Sequence, residues 1–357
     1  PNAGSFGMSV GTAMIFGLFA LMFLDTSINM AMQPFKMMVG DMVNEKQKGL
    51  AYSIQSFLCN AGSLVGYLFP FFFAWIGIRN TAPQGVIPDS VIYSFYIGAA
   101  ILIACVIYTS VKVKEMPPKE YAEYHGISEE QEKEKTNMLK LLVKAPKTFW
   151  TVGLVQFFCW FAFMFMWTYT NGSIAANVFG APTVETVVNG VTKVVLDTTS
   201  QPYQEAANWV GVLFAVQAIG SVLWAICIPL FKNRRLVYSL SLVLGGIGFI
   251  STYFIHDPYT LFFSFVLIGC AWAAMLALPF TILTNSLSGS HMGTYLGLFN
   301  GTICIPQIVA AALGGSILAL FTPEGCLPPE INMLVTAGVM LLIGAVCVYI
   351  IKEGRSE

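Results

Sequence analysis

Long apolar runs separated by short polar stretches set the pattern of this chain. Nine runs are long enough for a helix to cross a hydrocarbon layer, which takes about 20 residues. They cover roughly 8–38, 50–78, 91–112, 149–177, 206–231, 236–255, 258–284, 293–321 and 332–352. No series of short alternating segments is present, so a closed barrel is excluded and an all-α membrane bundle is expected. One stretch breaks the pattern. Thr183 to Asp197, TVETVVNGVTKVVLD, alternates around Asn189-Gly190, the strongest short cue for a β-hairpin. A small hairpin is expected there, as a surface decoration or a gating element.

The polar positions inside the first run matter most. Asp25, Asn29, Gln33 and Lys36 follow at spacings of four, four and three, so a helix places them on one face. A charge at the depth of Asp25 costs at least about 2.5–3.5 kcal/mol. Such a stripe suits a face turned to water, a substrate or a proton path. Two uses of Asp25 stand open: internal pairing with a cation, or loading and release of a proton. Asn29 and Gln33 serve either a sugar's hydroxyls or a neighbouring helix. Pro34 frees the carbonyl of Met30 and is expected to kink the helix. Lys36 either snorkels to the interface or meets a carboxylate across a cavity. Asp41, at the loop edge, is a candidate cytoplasmic gate.

Later runs hold neutral polar and aromatic candidates. Asn60 lies on the second helix, beside a Gly62/Gly66 pair expected to let backbones approach closely. Gln156, Trp160, Trp167 and Asn171 share one face of the fourth. Gln217 and Trp224 are seven apart on the fifth, and Asn300 and Gln307 seven apart on the eighth. Rings offer flat faces to a pyranose and amides take its hydroxyls; the bland alternative is ordinary aromatic packing. Pro279 and Pro306 are expected to break their helices.

Composition sharpens this picture. Only 10% of the 357 residues are charged, against about a quarter in soluble domains. A net charge of −1 gives no reason to expect a nucleic-acid partner. The eight cysteines lack metal or redox spacing and read as small packing residues, so no metal or cofactor is expected. No phosphate loop or nucleophile elbow appears, which argues against ATP hydrolysis and against an enzyme. Of the 18 Lys and Arg, all but Arg79 and Lys193 fall on one side, which places the N-terminus outside and the C-terminus in the cytoplasm. The expected setting is a cytoplasmic (inner) membrane. The charged, Pro-containing stretch 113–148 reads as a cytoplasmic linker. It separates 1–112, expected to be the last three helices of an N-terminal six-helix half, from 149–357, a C-terminal six-helix half bearing the hairpin 183–197. The opening at Pro1, without Met or signal peptide, fits that expectation of a truncated bundle.

On these residues the chain resembles the sucrose-transporter-like branch of the glycoside–pentoside–hexuronide cation symporters, in the major facilitator superfamily. Asp25, Asn29, Pro34, Lys36 and Asp41 are similar to that family's fourth helix, with Lys36 where Arg is usual. Gly62, Gly66 and Tyr67 are similar to its fifth, and WFAFMFMWTY to its seventh. Pro279, Gly293, Gly297, Asn300, Pro306 and Gln307 are similar to its tenth and eleventh. The resemblance implies nine of twelve helices and proton-coupled symport of a disaccharide or other glucoside, such as sucrose or maltose, by alternating access. Asp25 would be the proton-coupling group, and the protein a monomer with a sugar, a cation and the bilayer as partners. Two alternatives are a sodium-coupled symporter of the melibiose type and a non-transporting sugar sensor.

Overall fold

The structure, a computed structural model, describes residues 10–42, 45–79, 87–114, 117, 120, 138–188, 191–231, 233–284, 286 and 292–351. Residues 121–137 of the 113–148 linker lie outside these residues. The described chain is helical apart from one hairpin. Its helices are α1 (Val10–Met42), α2 (Glu45–Trp75), α3 (Asp89–Lys112), the short α4 (Met138–Val143), α5 (Lys147–Asn177), α6 (Gln201–Cys227), α7 (Arg234–Ser251), α8 (Leu261–Thr284), α9 (Met292–Phe299), α10 (Gly301–Phe321) and α11 (Ile331–Cys347).

Eight spans among the described residues are long and apolar enough to cross a membrane, α9 and α10 together supplying one. The expected ninth is α7. It occupies its expected place, but Arg234 and Arg235 fill its first turn and leave a shorter apolar stretch. Two expectations about prolines are corrected. Helix α8 runs unbroken through Pro279 and α10 through Pro306. The eighth run breaks instead at Asn300, between α9 and α10, where the Asn300 N–H donates to the carbonyls of both Leu296 and Gly297. Helix α1 is likewise continuous through Pro34.

The hairpin forms where Asn189-Gly190 predicts it. Strand β1 (Thr183–Val188) pairs antiparallel with β2 (Val191–Leu196), from Thr183 opposite Leu196 to Val188 opposite Val191. That register leaves two residues for the turn, and these lie outside the described residues.

Contacts divide the chain into two units, 1–55 with 68–134, and 56–67 with 135–357. In the first unit little apolar surface is enclosed. Phe73 is buried against Phe72 and Tyr93, and Ser90 donates its N–H to Arg79. The other described side chains of α1 and α3 are exposed nearly throughout.

The second unit has a continuous core of Phe149, Phe163, Phe165, Met166, Leu213, Tyr238, Phe249 and Phe265. Helix α5 runs through its middle, packed on α6, α8, α10 and α11, and α8 packs on both α6 and α7. In lipid, where water exclusion between helices is weak, close packing has to do this work. The tightest crossing joins α6 to α8. A Cβ on Gly220 would come within 2.8 Å of the Val266 carbonyl, and one on Gly269 would overlap the Gln217 carbonyl. The expected close approach at Gly62 and Gly66 is not found: both face open space, with nothing within 4 Å of an added Cβ.

Candidate functional site

The candidates on α5 are brought together with a partner from α8. Gln156 is fully buried, and its Nε2 donates to the Met275 carbonyl at 3.2 Å. One turn further on, Trp160 is 8% exposed, and a further two turns along, Trp167 is 41% exposed. Trp272, three residues before Met275, closes the group. Its ring meets Trp160 at 5.8 Å and Trp167 at 5.7 Å, both nearly edge-to-face, and Phe163 at 4.9 Å. Such arrangements are favoured by ring quadrupoles. The result is an aromatic wall, buried at Trp160 and open at Trp167.

That wall carries unspent polar atoms. Gln156 Oε1, Trp160 Nε1 and Asn171 Oδ1 are buried without a hydrogen-bond partner. Their spacings of four and eleven keep them on one side of α5. Each such atom costs about 1–3 kcal/mol when left unpaired. An acceptor and a donor one turn apart, beside flat rings, suit a ligand hydroxyl that accepts from the indole and donates to the amide.

Other candidates lie elsewhere. Asn60 is buried, and its Oδ1 accepts from Ser221 Oγ of α6 at 3.3 Å. Gln217 is buried one turn before Ser221 on the same helix. Asn300 sits at the α9–α10 break, its Nδ2 donating to Cys304 Sγ at 3.8 Å and its Oδ1 buried without a partner; Gln307 is half-buried on α10. Trp224 has its indole N–H donated to Ser241 Oγ at 2.8 Å, which marks it as a packing residue. Asp25 stands exposed on α1. The backbones of Asn29, Gln33, Lys36 and Asp41 belong to α1, but their side chains lie outside the described residues.

Two residues escaped the sequence reading. Trp272 sits alone in CAWAAML with no polar companion to draw attention. Glu330 falls just before α11 and looks like a loop acid. It is the residue preceding Ile331, yet its side chain makes no cap bond to its own helix. It turns to α5 instead, where a Cβ on Gly172 would overlap its carboxyl. Burial raises the Glu330 pKa to about 7.

A bundle of apolar spans around a polar-dotted aromatic wall defines a polytopic membrane protein. The pattern of the Major Facilitator Superfamily matches residues 3–196 and 174–357, and the chain belongs to that superfamily. It is therefore a multi-pass membrane protein with a transporter's fold, not an enzyme, and its substrate binds within the bilayer. Comparison with curated proteins returned no match. Among solved structures, one match is the crystal structure of a bacterial homolog of the human lysosomal transporter Spinster, inward-facing and unoccupied. It shows 16% identity and a TM-score of 0.47, covering 89% of this chain and 72% of that one.

Proposed function

We propose that the protein is a secondary active transporter that takes up a sugar, a disaccharide or other glucoside, together with a proton. The observation that carries this reading is the α5–α8 wall, where Trp160, Trp167 and Trp272 stand beside the unpaired Gln156 Oε1 and Trp160 Nε1. Binding sites of this kind are mostly apolar, with a few placed polar groups. Beyond its first residue, Lys147, α5 carries no charged side chain, which favours a neutral substrate. The resemblance of the first helix to cation–sugar symporters supports Asp25 as the coupling acid and Asn29 and Lys36 as sugar contacts, and helical spacing adds Gln33 on the same face. In this reading 1–112 and 149–357 belong to the two halves of an alternating-access transporter, with Asp41 at the cytoplasmic gate and the C-terminus in the cytoplasm.

The test is uptake of labelled sucrose and maltose by cells expressing the full-length protein, with and without an inward pH gradient. Asp25→Asn should abolish gradient-driven accumulation. Trp160→Phe keeps a ring but removes the N–H, and should weaken apparent affinity roughly tenfold, or about 1.4 kcal/mol. Unchanged accumulation in Asp25→Asn removes that residue from coupling. Dependence on sodium rather than pH selects the melibiose-type alternative, and binding without accumulation selects a sensor.

A further inference from the structure

Helix α5 is gripped near its C-terminal end by two neighbours. The Tyr169 hydroxyl rests over Gly314 of α10, so close that a Cβ there would lie within 2.6 Å of it. Three residues along, Gly172 leaves the gap that the Glu330 carboxyl fills. Side chains at that spacing share a helix face. Glu330 thus spans from the start of α11 to α5, forgoing the cap it could have made to its own helix.

We propose that Glu330 is a proton-binding site of this protein, a carboxyl that seals the end of α5 against α11 while it holds a proton and loosens that seal when ionised. The seat is a glycine Cα, which accommodates a neutral carboxylic acid better than an ionised one. Among the described residues no cation makes an ion pair with Glu330. The titratable group that interacts with it from α5 is Tyr169. His256, in the connection from α7 to α8, meets α5 further on, where its Nδ1 lies 3.2 Å from the Asn177 carbonyl. The upward shift of the Glu330 pKa, caused by burial alone, agrees with the geometry. Since α5 also carries Trp160 and Trp167, the seal's state reaches the wall through one rigid helix. That consequence rests on the transport reading; proton binding does not.

Infrared spectroscopy on the purified full-length protein, titrated with acid and base in the absence of sugar, reads protonated carboxyls through their carbonyl stretch. A band fading with a midpoint of about 7 is expected in the wild type. It should vanish in the isosteric Glu330→Gln and survive in Asp25→Asn. In Gly172→Ala, which evicts the carboxyl from its seat, the midpoint should fall toward the usual range for Glu of about 4. Persistence of the band in Glu330→Gln, its loss in Asp25→Asn, or an unmoved midpoint in Gly172→Ala would each overturn the assignment. No substrate enters this experiment, so failure of the sugar reading leaves its result standing.

Discussion

Helices α1 and α5 are both apolar over lengths that cross a bilayer, yet none of the α1 span is buried and 67% of the α5 span is. Helix α3 resembles α1, with 6% buried, although its sequence is among the most apolar in the chain. Apolarity therefore says only where a helix is content to reside. What it touches depends on the shape of its surface. Helix α5 buries Phe149 against Phe299 of α9, Phe163 against Phe249 of α7 and Trp272 of α8, and Phe165 beside Gly314 of α10, and the second unit closes around it. Helix α1 turns Phe16, Phe19, Phe23 and Met30 outward, as a lipid-facing surface does.

Three measurements on detergent-solubilised protein press on this contrast. The largest effect should come from truncating one ring in each helix. Phe163→Ala, at a site with no exposure, should cost about 3–5 kcal/mol of unfolding free energy. Phe23→Ala, at 79% exposure, should change it by less than about 0.5 kcal/mol. Equal losses would erase the distinction between the units. Next comes a methyl group added to a glycine. Gly269→Ala forces α6 and α8 apart and should cost about 1–3 kcal/mol, seen as a lower thermal midpoint. Gly66→Ala meets empty space and should be neutral or slightly stabilising, since Ala favours helix over Gly by about 1 kcal/mol. The smallest effect is a pH dependence confined to the second unit, kept small because Glu330 retains some contact with solvent. With its pKa raised from 4.5 to about 7, Glu330 binds more protons folded than unfolded between those values. Its contribution to stability should be present at the acid end of that window and lost as pH rises through about 7. Glu330→Gln should flatten the profile there; an unaltered slope would mean that another group titrates.

The helices were legible because an apolar run of spanning length has few other ways to satisfy its backbone in lipid. The hairpin was legible because Asn189-Gly190 between β-branched runs leaves room for two turn residues and no more. Partners were not legible. Nothing in the sequence says that Trp160 will meet Trp272 rather than a lipid tail, because the two are joined only by the way α5 and α8 cross. Gly62 and Gly66 have the spacing of a packing motif and face open space, whereas Gly220 and Gly269 belong to no Gly-xxx-Gly pair and sit at the tightest crossing. Spacing reports which residues share a face and not which face finds a neighbour. Glu330 was passed over for a related reason: its position one residue before α11 marks it as a boundary acid, and its seat on Gly172 exists only in three dimensions.

Where α6 and α8 meet backbone to backbone at Gly220 and Gly269, neither rod can slide along the other without first parting. The pair is thus a fixed strut. If this protein changes shape as it works, spin labels placed one on each of these two helices should hold a constant separation in every state, giving a ruler against which the travel of every other helix can be read.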